Sequence, residues 1–261
     1  KDWSRGLGDV YKRQPLYHRR KSEGNKRQYG STEAEFRELI ARYWGLVTQV
    51  DMSVGAILDK LESLGLTENT IVVFTSDHGD MMGAHRMVAK GVMYEESVRI
   101  PFLLKDPRMN TSQRMISERV SQVDIVPTLL DLMGHEVPGN LEGKSLVPAL
   151  KADEFPAEDI FIEWNSHMDY RVRDWAEREI TEADSVQLAA NPSIRTVISK
   201  EGMKLSLSNR DKSQLFDLNK DPLEMENLYY KEEYKQTIHE LAGKIKEWRR
   251  VTNDTLRFPT D

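Results

Sequence analysis

The sequence predicts an α/β fold: a mixed or parallel sheet flanked by helices over residues 31–150, then a smaller α+β subdomain, antiparallel sheet plus helix, over 151–261. Three observations predict it. A long stretch with helical apolar period leads directly into a short, wholly apolar run; that run ends in polar, turn-prone residues; and after Leu150 the apolar runs become short and closely spaced. At 261 residues the chain has room for one large or two modest domains, since domains run to roughly 100–200 residues.

Residues 1–30 stand apart from this pattern. Ser4–Gln14 resembles translated adapter sequence of the kind met at the ends of metagenomic reading frames, and is set aside from fold reasoning. Residues 15–30 carry Arg19, Arg20, Lys21, Lys26 and Arg27, and read as a solvated basic loop or as an anion-attracting rim. Thr32 and Glu35 then form a capping box ahead of Phe36, Leu39, Ile40, Tyr43, Trp44, Val47, Val50, Val54, Ile57, Leu58, Leu61 and Leu64, a long amphipathic helix. Gly65 is its C-terminal stop, residues 67–70 a polar turn, and Ile71–Phe74 a buried strand, so that helix and strand form half of a βαβ crossover.

A second strand is predicted over Ile100–Leu104, followed by a loop to Gln113. Asp124 is placed as the N-cap of a helix over Ile125–Met133, with Pro127 tolerated in its first turn and Gly134 at its end. Beyond Leu150, residues 160–164, 194–199, 203–207 and 214–218 read as antiparallel strands, the middle pair joined at Lys200–Gly202. A final helix over Tyr230–Arg250 aligns Tyr234, Ile238, Leu241, Ile245 and Trp248 on one side.

Composition narrows the function. The formal net charge of −6 argues against a general nucleic-acid binder, which needs clustered positive charge. The absence of Cys removes disulfides, thiolate metal sites and a cysteine nucleophile from this chain. Its apolar runs are far shorter than the roughly 20 residues that cross a bilayer, so no membrane span is predicted.

The densest cluster of reactive side chains follows the first strand. Asp77 and His78 sit where that strand ends, the place where open α/β sheets bind ligands, and Asp80, His85, Arg86 and Lys90 follow in a Gly-punctuated loop. A carboxylate and an imidazole can hold a divalent metal while Arg and Lys neutralise a tetrahedral oxyanion, which reads as metal-assisted ester hydrolysis. The same residues also suit an Asx turn with its polar side chains solvated. Met81, Met82, Met87 and Met93 in this stretch read as core filling. Glu95 and Arg99 are within reach for a structural ion pair. Farther on, Trp164 can stack on a sugar ring, with Glu163, Asn165, His167 and Asp169 binding hydroxyls, or the group can be an ordinary hydrogen-bonded junction. Arg195 either faces the site or pairs internally, and His18 and His239 carry no local chemistry.

Thr75-Ser-Asp-His-Gly-Asp-Met-Met-Gly-Ala-His-Arg-Met-Val-Ala-Lys-Gly-Val-Met-Tyr-Glu-Glu-Ser-Val-Arg-Ile-Pro101 resembles the second signature block of the sulfatase family, in the alkaline-phosphatase superfamily. Leu64–Phe74 resembles the family's approach to this block, Val123–Gly134 its helix beyond it, and Leu215–Leu228 its C-terminal signature, all in the family's order. The resemblance implies an alkaline-phosphatase-like fold. It makes Asp77 and His78 metal ligands, with His78 standing where many members have Asn. Lys90 matches the lysine that contacts the sulfate, and His85 falls at a pocket-lining histidine. Arg86 is either a substrate-side anion contact or a solvated loop residue; it and Ala84 depart from the family's commoner neighbours of that histidine.

The resemblance further implies a divalent metal, calcium in this family, and a formylglycine nucleophile made from a Cys or Ser in an upstream C/S-x-P-x-R motif. This chain has neither the motif nor any Cys. It is therefore expected to be the C-terminal part of a longer enzyme, inactive without its missing N-terminal part. The substrate implied is a sulfate ester, either sulfated carbohydrate or aryl sulfate, and periplasmic or secreted placement is expected from the family. Two other functions compete: a phosphodiesterase or phosphonate hydrolase of the same superfamily, and a non-catalytic anion-binding module.

Overall fold

The computed structural model describes residues 14–30, 32–109, 113–152, 154–166 and 191–260. The adapter-like residues up to 13, and His167 and Asp169, lie outside the described residues. The chain divides into two compact units. One holds the described residues up to Gln113 together with Asn191; the other holds those from Arg114 to Ser166 and from Pro192 onward.

The first unit opens with a correction. Residues predicted as a basic loop form helix α1, Leu16–Tyr29, with Tyr17, His18 and Ser22 buried. Its inward face is polar rather than apolar, so it carries no hydrophobic period to announce a helix. Helix α2, Glu33–Ser63, starts as predicted: the Thr32 side chain accepts from the Glu35 N–H, and the Glu35 carboxylate accepts from the Thr32 N–H at 2.9 Å. Of this long helix only Phe36 is buried among the described residues.

Strands β1, Val72–Thr75, and β2, Phe102–Lys105, pair antiparallel in the register Val72↔Lys105 to Thr75↔Phe102. A mixed sheet admits such a pair, whereas the βαβ crossover would have required a parallel partner, and none is formed among the described residues. Nor is β1 buried as predicted: Phe74 is 38% exposed, and its partner Leu103 on β2 57%, because nothing described covers that face. Between the strands lie the candidate loop and helix α3, Glu95–Val98.

In the second unit, α4 (Ile125–Leu132) follows a 3₁₀ turn over Gln122–Asp124. Asp124 stands at the N-cap position of α4, as expected, but its side chain makes no cap bond there; the 3₁₀ turn before it is capped by Ser121. Asp124 is its partner in a capping box, and its other carboxylate oxygen accepts from the Lys144 N–H at 2.9 Å. Gly134, with φ of 78°, takes the left-handed conformation that ends the helix, its N–H bonded to the Asp131 carbonyl. A short helix α5, Val147–Ala152, follows.

Strands β3 (Ile160–Asn165), β4 (Ser193–Ile198), β5 (Met203–Ser208) and β6 (Gln214–Asp217) form a four-stranded antiparallel sheet in that order. Helix α6, Lys235–Val251, packs on it. The core joins Val197, Leu205, Leu207 and Leu215 of the sheet to Leu241, Ala242 and Ile245 of α6, with Leu228 and Phe258. Phe161 and Trp248 stack with ring centroids 5.3 Å apart. Arg195 pairs internally: its guanidinium donates to Asp254 Oδ2 at 2.7 Å, Asn165 Oδ1 at 3.0 Å and the Trp164 carbonyl at 3.3 Å.

Candidate active site

The site begins where β1 stops. Thr75 Oγ1 donates to the Pro101 carbonyl at 2.8 Å, fastening the exit of β1 to the entry of β2, and Ser76 Oγ donates to the His78 carbonyl at 2.8 Å. These two bonds hold the turn that presents Asp77 and His78. Gly79 completes it. Its N–H donates to the Ser97 carbonyl at 2.9 Å, and a Cβ there would lie 2.1 Å from the Glu96 carbonyl oxygen, so only glycine lets the turn approach α3.

Asp77 and His78 meet. His78 Nε2 lies 3.2 Å from Asp77 Oδ2, while His78 Nδ1 lies 2.8 Å from the Gly79 carbonyl. A neutral imidazole has one N–H, yet this ring faces an oxygen acceptor at each nitrogen. When Nδ1–H donates to Gly79, the Nε2 lone pair is left facing the Asp77 carboxylate, and two such groups side by side suit a shared cation. A backbone carbonyl accepting from the far nitrogen is how metal-bound histidines are commonly oriented. The His78 N–H donates to Asp77 Oδ1 at 2.9 Å and holds the Asp77 carboxyl below its ordinary range, which favours the ionised ligand form. These two donors fit a divalent cation as part of its shell. Among the described residues, no group of three or more His, Asp or Glu completes it.

The loop beyond is closed at its base. Asp80 Oδ1 accepts from the Met82 N–H at 2.9 Å and the Ala89 N–H at 3.0 Å, and the Met81 N–H donates to the Ala89 carbonyl at 2.8 Å. Lys90 therefore follows directly on the residue tied to Asp80, and its side chain is exposed. Inside the loop Met82, His85, Arg86 and Ala89 all have positive φ, at 38°, 50°, 61° and 63°. Such backbone is costly for side-chain-bearing residues and persists where surroundings enforce it. Met81 and Met87 supply that enforcement from inside, at 1% and 0% exposure, in the core-filling role predicted for them.

His85 is buried and stacks on Tyr94, the rings 3.8 Å apart and 7° from parallel. The imidazole of His18 meets Tyr94 at 5.1 Å. His18 was read as having no local chemistry; instead it is buried within the support of this loop. Burial, then the neighbouring His85 and Lys21, lower its pKa to about 3, so it is neutral. Asn25 Oδ1 accepts the Val88 N–H at 2.8 Å. Sequence reasoning missed both residues. The signal available was their i, i+4, i+7 spacing with Ser22, which puts His18, Ser22 and Asn25 on one helical face.

Asp77 and His78 are thus brought together, and His85, Arg86 and Lys90 share the loop that starts at Asp80. Trp164 stands on β3 of the second unit, its indole N–H shielded from solvent without an acceptor. Among the described residues no ion pair joins Glu95 to Arg99, which lies past the end of α3 in extended backbone.

A carboxylate–imidazole pair and a basic loop stand together at a strand end as a candidate site, and comparison with known proteins places the fold that carries them. A solved structure of BT4656 in complex with its substrate D-glucosamine-2-N,6-O-disulfate superposes with a TM-score of 0.71 at 27% identity, over 97% of this chain and 51% of that one. The phosphonate monoester hydrolase of Agrobacterium radiobacter superposes with a TM-score of 0.69 at 27% identity, over 84% of this chain and 42% of that one. The fold is alkaline-phosphatase-like. The family model for sulfatases matches residues 13–135, and that for the C-terminal part of N-sulphoglucosamine sulphohydrolase matches residues 83–251. The chain belongs to the sulfatase family. An arylsulfatase of Clostridium perfringens is 36% identical over 201 residues, which is 76% of this chain and 37% of that protein. The chain spans less than half the length of the curated relatives that it matches.

Proposed function

We propose that this protein is the C-terminal part of an enzyme that hydrolyses sulfate esters, with sulfated carbohydrate or an aryl sulfate as substrate. Asp77 and His78 hold a divalent cation, Lys90 contacts the sulfate group, and His85 lines the pocket beside it. Arg86 is assigned as a further anion contact. One observation carries the reading: an ionised carboxylate and a carbonyl-oriented imidazole converge, 3.2 Å apart, at the end of β1.

A divalent cation bound there would polarise a sulfate oxygen and reduce the charge cost of attack on sulfur. We assign calcium. Its preference for oxygen donors means that upstream carboxylates would complete a shell in which His78 is the nitrogen donor. Lys90 adds an ammonium to the same developing negative charge, and the enforced loop backbone keeps His85 and Lys90 from relaxing away from it. The nucleophile, a formylglycine in this reading, would come from the upstream part, as would the acid that protonates the leaving alcohol. The likeness to a phosphonate monoester hydrolase favours a second reading, phosphoryl ester hydrolysis at the same site.

The test uses the protein extended by its upstream coding sequence, with sulfate and phosphate release measured in parallel from aryl and sugar esters. Sulfate release is expected, and Asp77→Ala should lower both bound metal and turnover, the latter by about 100-fold or more. Release of phosphate alone would favour the second reading. Unchanged metal content and rate in Asp77→Ala would remove the metal-ligand assignment.

A further inference from the structure

We propose that Lys21 on α1 is a second ammonium contact for the oxyanion, so that one sulfate- or phosphate-class group is clamped between Lys21 and Lys90. The proposal rests on the reading of Lys90 as an anion contact and adds a residue from a different element. Its basis is the docking of α1. His18, Ser22 and Asn25 lie on one face of that helix, and the face is fixed to the loop at two points: the ring contact of His18 with Tyr94, and the Asn25–Val88 hydrogen bond. Lys21 sits three residues after His18 and four before Asn25, on the same face, and so is directed toward the segment that ends in Lys90.

Both ammonium groups can still take a partner. Among the described residues no ion pair or hydrogen bond involves the side chain of Lys21 or Lys90, although Lys26 on the same helix is paired with Glu23 at 2.6 Å. Lys21 is half-buried, and burial followed by the nearby Lys90 charge holds its pKa below the ordinary lysine value, with Asp80 acting in the opposite direction. Two like charges held together repel, the Asp80 carboxylate offsets that only in part, and an anion between them turns the repulsion into two attractions. The strained loop keeps Lys90 in place and the docked helix keeps Lys21 in place, so the clamp is formed before the anion arrives.

Inorganic sulfate is the probe, titrated into the 261-residue chain at constant ionic strength and followed by NMR of lysine labelled at ¹³Cε. The Lys21 and Lys90 signals should move with one shared Kd, and saturation should raise the Lys21 pKa, since the anion favours its charged form. Lys21→Gln should weaken the Kd read at Lys90 by about fivefold, while Lys21→Arg should hold it within about twofold. The Val88 amide signal, unchanged in each variant, reports that α1 is still docked. An unaltered Kd in Lys21→Gln, with Lys90 still responding, would overturn the clamp and leave Lys90's role intact. Silence of both lysines toward sulfate and phosphate would overturn both.

Discussion

His18 illustrates how much a single side chain can hide. From sequence it is a lone histidine in a basic stretch, and only the fold puts it against Tyr94 with Nδ1 shielded and without a partner. Asp77, His78 and Lys90 were legible because strand, turn and loop are contiguous in sequence. The support under His85 was not, since it comes from residues some 60 positions earlier. The pKa of His18 falls from 6.5 unfolded to about 3 folded, so between those values the unfolded chain binds the extra proton. Stability attached to this residue is complete above about pH 6.5 and is lost as pH falls toward 3. The charged and titratable groups facing it are His85 and Tyr94 from the loop and Lys21 from its own helix. His18→Phe keeps an aromatic ring on Tyr94 and removes the titration. Urea denaturation from about pH 7 to about pH 5 should show the wild type losing about 2 kcal/mol more than this variant. Identical pH dependence in the two proteins would refute the assignment of a buried neutral imidazole.

Elements were legible in proportion to the regularity of their apolar pattern. Helix α2 and all four strands of the second sheet lie where period and turn residues placed them, and α6 does so except that it begins at Lys235 after a 3₁₀ turn, five residues later than expected. Helix α1 escaped because its buried face is polar, and the 3₁₀ turn that Ser121 and Asp124 cap ahead of α4 escaped because only hydrogen-bond geometry assigns the Asp124 carboxylate to it. The C-terminal signature is explained at this scale too. After β6, Asp217 Oδ1 accepts from the Asn219 N–H at 3.1 Å, Asn227 Oδ1 accepts from the Leu215 N–H at 3.0 Å, and the Leu228 N–H returns to the Leu215 carbonyl at 2.8 Å. Within this turn Glu224, at φ of 53°, sends its carboxylate to Lys204 of β5 at 2.9 Å, both side chains essentially sealed from water. The segment thus fastens the sheet, a structural role. Removing one member of such a pair strands a buried charge, and Glu224→Ala should cost about 3–5 kcal/mol in equilibrium unfolding. Lys204→Met in the same background should recover part of that loss, because it removes the stranded ammonium. A Glu224→Ala protein as stable as wild type would mean that the pair does not hold β5 to the turn.

At the scale of the whole molecule, the largest mismatch between sequence and structure concerns what covers α2. Its apolar period is that of a helix packed on a core, yet Tyr43, Val47, Val50 and Leu58, which share one face, are 37%, 45%, 49% and 41% exposed. Trp44 and Ile57 at the flanks of that face are 66% and 62% exposed, and Phe74 and Leu103 of the β1–β2 pair are also open. A contiguous apolar surface of this kind is unusual for a protein that works alone, at about 25 cal/mol for each Å² left in water. In the longer enzyme proposed above, the upstream part would cover it. In the 261-residue chain on its own, a second copy offers the same apolar helix, and two such faces can pack in the manner of a helix pair. Sedimentation velocity over about 1–100 µM should therefore show concentration-dependent self-association, since burying two such stripes supplies the several kcal/mol a micromolar dimer needs. The variant carrying Val47→Lys, Val50→Glu and Leu58→Lys keeps good helix formers at those positions and should sediment as a monomer with unchanged helicity. A wild-type chain that stays monomeric across that range would show that the α2 face is closed by residues of its own chain.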